Sequence, residues 1–199
     1  MSAEPATTAR PSAARERILK TAFALFYARG IRAVGVDLII AESGVAKATF
    51  YKHFPSKDDL VVAYLDKVDG VWSGQLRDAA QAAGPDPAGQ LVGMFDALTN
   101  ACRREGYRGC AFINAAGESQ PGTVVHDRTV AHKTAVRAWV RTLAERAGAP
   151  DPASLARSLT LLLDGGLASG SLDADPDAPA VAKASARALV DAACDGGPA

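Results

Sequence analysis

The stretch Lys47-Ala48-Thr49-Phe50-Tyr51-Lys52-His53 sets two ammonium groups, a hydroxyl, a phenol and an imidazole within seven residues. Those side chains suit a polyanion. A short helix fits the DNA major groove and carries two or three side chains to base edges, while cations and hydroxyls meet phosphates. Ala48 is small enough for close backbone approach, and Thr49 can donate, accept, or pack its methyl on thymine. Tyr51 and Lys52 suit phosphate, and His53 is a further candidate. Lys57, at the start of the next helix, joins a cation to a positive helix end. Phe50 and Phe54, four apart, are expected to turn inward onto Ile39, Ile40 and Val45.

Other chemistry is less well supported. Cys102, Cys110 and Cys194 are an odd number, at spacings that match no zinc or disulfide framework. Arg108 lies near Cys110, so a sensing thiol is one reading and a buried inert thiol the plainer one. His126, His132 and Glu118 do not fall in ligand register on one helical face. There is no glycine-rich phosphate loop and no pattern of paired carboxylates, so no cofactor and no metal are expected. A Cys/His enzyme stays open as the rival class, and an effector-free architectural DNA-binding protein as a third.

Three helical elements must hold the candidate reading residues. From Arg15 to Arg29 the apolar residues keep helical spacing up to Gly30. A short helix fits Val36 to Ser43, where Gly44 supplies the sharp turn. The third runs from Lys47 to His53, and Pro55 stops it. Ser56-Lys57-Asp58-Asp59 forms a capping-box pattern that opens a long helix.

The segment AVGVDLIIAESGVAKATFYKHFPSKDDL, residues 33–60, resembles the DNA-binding signature of the TetR family of bacterial regulators. The resemblance covers roughly residues 13–62; further on only helix count and order are similar. It implies an all-α fold: an N-terminal three-helix, helix-turn-helix domain, followed by a helical ligand-binding and dimerisation domain. It also implies a transcriptional regulator, a repressor that binds a palindromic operator as a homodimer and is released by a small molecule. Backbone-contact roles pass by resemblance to Tyr51, Lys52 and Lys57. Gly35 departs from the pattern, since the family commonly has Ser or Thr there. Glycine still caps tolerably, but the hydroxyl's phosphate contact is in doubt.

Charge agrees with that division. Residues 1–57 hold nine Lys/Arg against four acids, a net of +5, and residues 58–199 hold thirteen against eighteen, a net of −5. The expected organisation is a disordered arm over 1–12, a DNA-binding domain over 13–56 and an effector and dimerisation domain over 57–195. With 48% apolar residues, no run long enough for a bilayer and no signal-like opening, a cytoplasmic protein without membrane contact is expected.

About nine helices and no strands are expected in all. Trp72, Phe95, Cys110, Phe112, Asn114, His132 and Trp139 are candidates to line an effector cavity, with the effector itself unspecified. The last two helices carry small residues at four-residue spacing. Leu159, Leu163, Gly166, Gly170, Ala182, Ala186 and Val190 are therefore the expected dimer interface, the alternative being that they bury within their own domain.

Overall fold

The computed structural model describes residues 12–172 and 175–194, all helix and connecting turn. The arm expected over residues 1–12 therefore lies outside the described residues, except for Ser12. Ten helices occur among the described residues: α1 (Ala13–Arg29), α2 (Val36–Ser43), α3 (Lys47–His53), α4 (Lys57–Ala82), α5 (Pro87–Gly93), α6 (Asp96–Cys102), α7 (Ala111–Glu118), α8 (Val124–Arg146), α9 (Pro152–Leu172) and α10 (Ala178–Cys194). The all-α class stands, with one helix more than the sequence suggests. The extra one comes from a break at Met94-Phe95. There the N–H groups of Phe95, Ala97 and Leu98 donate to carbonyls only three residues back, at 3.0–3.2 Å, which tightens and ends the α-helical ladder.

The chain forms two compact units, with the boundary between Tyr64 and Leu65 inside α4. In the first unit, α1 contributes Ile18, Ala22 and Phe26 to a core completed by Ile39, Val45, Phe50, Phe54, Leu60 and Tyr64, all buried. Tyr64 meets Phe23 and Phe26 edge-on, with centroids 5.4 and 5.6 Å apart. The corner between α2 and α3 is set by Gly44. At φ 64° and ψ 30° its N–H reaches back to the Ile40 and Ala41 carbonyls, in a left-handed conformation that costs other residues roughly 1–2 kcal/mol. The capping box forms as its pattern indicates: Asp59 N–H donates to Ser56 Oγ (3.1 Å) and Ser56 N–H to Asp59 Oδ2 (3.0 Å).

In the second unit α9 packs between α8 and α10, with α5 and α6 filling in against α10. Gly166 lets α6 and α10 close in: a Cβ there would sit 2.9 Å from Leu98 Cδ1 and 3.3 Å from Ala182 Cβ. At Gly170 a Cβ would come within 2.7 Å of Cys102 Sγ. The small face of α9 thus serves close packing inside the protomer.

Phe50 is fully buried, so Phe50→Ala should cost about 3–5 kcal/mol by transfer and cavity terms together. Urea denaturation of the two proteins measures it. A loss below 1 kcal/mol would mean that α3 is held by something else.

Candidate nucleic-acid interface and effector region

Burial along α3 divides its residues by role. Phe50 is buried, Thr49 and His53 are half-buried, and Lys47, Ala48, Tyr51 and Lys52 are exposed. Positions 47, 48, 51 and 52 fall on one helical face, so the side facing solvent is the side with chemistry for phosphate and base edges. Tyr51 is 44% exposed and rests edge-on against Phe50, with centroids 5.3 Å apart. Lys47 Nζ stands 3.4 Å from Asp37 Oδ1 in an exposed pair, which is cheap to exchange for a phosphate.

Two candidates sit differently. His53 Nε2 lies 3.0 Å from Ser12 Oγ, the N-cap of α1, so this imidazole ties two helices together. Gly35 caps α2 without any side-chain bond, in ordinary extended geometry and with open space around its missing Cβ. A serine would fit there. Lys57 is half-buried at the start of α4.

The second unit holds a polar network whose centre is Asp69 on α4. Its carboxylate accepts from Arg128 Nη2 (2.7 Å), Ser73 Oγ (2.7 Å) and His132 Nδ1 (2.8 Å). Arg128 Nε also donates to Asp66, at 2.6 Å. The His132 ring, 1% exposed, stacks on Phe112 with centroids 3.6 Å apart and planes 6° from parallel. Burial pushes the His132 pKa down, and neighbouring Lys133 and Arg128 add to this against the pull of Asp69. Burial raises the Asp69 pKa, but the bonds from Arg128, Ser73 and His132 outweigh it and hold that carboxyl below its ordinary value. The neutral imidazole thus donates to a charged carboxylate.

Next to this network, a cleft of about 20 Å³ is lined by Trp72, His132, Lys133, Val136, Arg137, Thr160, Leu163, Asp164 and Leu167. Lys133 Nζ is paired with Asp164 and stands 3.7 Å from Cys110 Sγ. Of the seven candidate cavity residues, Trp72 and His132 line this cleft. Phe95 is wholly enclosed in the core, and Phe112 is covered by His132. Asn114 is exposed, donating to the Arg108 carbonyl at 2.9 Å. Trp139 lies under Arg77, 5.7 Å from ring centroid to guanidinium. Cys110 is buried at the N-cap of α7. No group of three or more His, Cys, Asp or Glu among the described residues is placed to hold a metal, and no described helix is long and apolar enough to cross a membrane.

Residues 18–64 match the family described as bacterial regulatory proteins, tetR family. A TetR-family transcriptional regulator from Streptomyces coelicolor of known crystal structure is 37% identical and superposes with a TM-score of 0.84, over 91% of this chain and 96% of that one. The chain belongs to the TetR family. The HTH-type transcriptional regulator YjdC of Escherichia coli is 26% identical over 76% of this chain and 80% of its own. The HTH-type transcriptional repressor KstR2 of Mycolicibacterium smegmatis shares 31% identity over 46% of this chain and 44% of its own. As in the match to YerO of Bacillus subtilis (27% of its length), that similarity spans less than half of the relative. This TetR-family protein is a transcriptional regulator with a DNA-binding helix-turn-helix.

Most of the residues expected at a dimer interface are buried in the single chain. Leu159, Leu163, Gly166, Ala182, Ala186 and Val190 are buried within one protomer, and Gly170 backs onto Cys102. In the single chain they contribute to the packing of α9 against α6 and α10. The outward faces instead carry Leu161, Leu172 and Val181, 73%, 85% and 61% exposed.

Sequence reasoning missed Asp69, Arg128, Lys133 and Asp164. A signal for Asp69 existed: Asp69 and Ser73 interrupt the apolar side of α4 beside Val68 and Trp72, and polar residues in an apolar stripe need partners.

His132 has a depressed pKa in the folded chain, so on acidification the unfolded chain takes up its proton first, near the ordinary value of 6.5. Folding stability should therefore fall as pH drops from 7 towards 5. His132→Gln keeps a donor for Asp69 but does not titrate, so its urea midpoint should fall less over that range. An equal fall in both proteins would place the acid sensitivity elsewhere.

Proposed function

We propose that this protein is a repressor that binds a palindromic operator as a homodimer and is released by a small-molecule effector. The observation that carries the reading is the exposed face of α3. Lys47, Ala48, Tyr51 and Lys52 point to solvent together, while Phe50 locks the opposite side into the core. A face with two cations, a phenol and one small residue suits backbone contact with room for close approach. Thr49, at the edge of that face, is the base-reading candidate, and Lys57 adds charge at the start of α4. His53 serves DNA binding indirectly, by tying α3 to α1.

A seven-residue helix reads few base pairs, so two copies on half-sites about one helical turn apart, ~34–36 Å, are the economical arrangement. The exposed Leu161, Leu172 and Val181 support dimerisation through the outer faces of α9 and α10. Repression draws support from KstR2, a transcriptional repressor to which the chain is similar over under half of that protein's length.

Release would act through α4. Its first turns belong to the unit that contains α3, while Asp69, Trp72 and Ser73 belong to the polar network and the cleft. An effector that prefers a different setting of α4 lowers DNA affinity by its own difference in binding energy between the two states.

Selection of bound sequences from random duplex DNA tests this. The wild type should enrich a palindrome. Lys52→Ala should bind more weakly whatever the sequence, and Thr49→Ala should relax preference at one position in each half-site. Leu161→Asp should bind single half-sites without preference for their spacing. No enrichment at low salt, where phosphate contacts alone should hold the protein on DNA, would refute the reading.

A further inference from the structure

We infer that the cleft lined by α4, α8 and α9 takes a small amphipathic carboxylic acid, with its head group on Arg137 and Lys133 and its apolar body against Trp72, Leu163 and Leu167. This deepens the effector reading above and relies on it only for the consequence at DNA. Two cations and one acid line the cleft. Lys133 and Arg137 are four apart on α8, hence on one face. The acid, Asp164, is already paired with Lys133, and His132 is committed to Asp69. Arg137 adds a second cation, and Trp72, Val136, Leu163 and Leu167 are the apolar members of a lining whose accessible surface is more polar than apolar.

The head-group charge follows from this balance. A cationic ligand would have to take Asp164 from Lys133, leaving that ammonium unpaired one turn from Arg137. A carboxylate meets Arg137 first, in bidentate geometry, and only then competes with Asp164 for Lys133. A neutral ligand gains from the apolar wall alone.

The size of the cleft supplies a second feature. About 20 Å³ holds roughly one water molecule, so an acid with any apolar body must part the walls. The Lys133–Asp164 pair ties α8 to α9 across this cleft. A carboxylate competing for Lys133 loosens that tie as it enters, so binding and opening are coupled.

Octanoate, octan-1-ol and octylammonium share one chain and differ in head-group charge. The full chain has two tryptophans, so Trp139→Phe leaves Trp72 as the reporter. Octanoate should perturb Trp72 emission saturably, with a Kd at least about tenfold below those of the alcohol and the amine. In that background Arg137→Ala should weaken octanoate about tenfold, Arg137→Lys should recover most of the loss, and Asp164→Asn should tighten binding by removing a competitor for Lys133. Absence of octanoate binding, equal binding of octan-1-ol, tighter octylammonium, or an unchanged Kd in Arg137→Ala would each overturn the inference. A parallel titration on selected DNA separates the two readings. Octanoate that binds without weakening DNA affinity leaves the acid site standing and removes its effector role. DNA binding without octanoate binding does the reverse.

Discussion

A seven-residue helix has no stability of its own in water, because nucleation fixes several residues before the first bonds repay the cost. Helix α3 exists because Phe50 is buried. That one side chain, at 0% exposure, anchors the helix against the core formed with α1 and α2, and the solvent-facing side follows from it by helical periodicity. Positions 47, 48, 51 and 52 are left to solvent, with Tyr51 keeping an edge-on ring contact with Phe50. Gly44 sets the angle at which α3 leaves α2, and the Ser56–Asp59 box restarts the chain as α4 three residues after α3 ends. Rigid backing and an open face are two results of one burial.

The second unit solves a different problem. The partly buried polar groups around Asp69 and Lys133 are tolerated because each of them has a partner. Asp69 carries three donors, His132 is stacked and hydrogen-bonded, and Lys133 is matched by Asp164. Such a network is costly when half satisfied, which makes it responsive: a ligand that takes one partner changes the standing of the others. The bonds from Arg128 and His132 to Asp69 join α8 to α4, the helix that begins in the DNA-binding unit.

How much of this was legible in the sequence depended on how local each signal was. The helix-turn-helix could be read because its information lies within about thirty consecutive residues: Gly44 for the corner, Phe50 and Phe54 for the inward face, Pro55 and Ser56 for the stop and restart. The bonding of His53 to Ser12 spans 41 residues and left no local trace. The Asp69 network was hidden for the same reason, since Arg128 and His132 lie about sixty residues away. The glycines of α9 were visible as a close-packing face, but sequence spacing cannot say which helix approaches. The approaching helices are α6 and α10 of the same chain, met at Leu98, Cys102 and Ala182. The break at Met94-Phe95 escaped although Gly93 precedes it, because an isolated glycine inside an apolar helical pattern is tolerated.

The exposed face of α3 is the proposed meeting surface for DNA. Amide chemical shifts of the full chain, recorded at low salt with and without a short random-sequence duplex, test it without knowledge of the operator. Shifts should concentrate at Lys47, Ala48, Thr49, Tyr51 and Lys52, extend to Lys57, and fade as salt is raised. Shifts that leave α3 untouched, or that gather on α9 and α10, would contradict it.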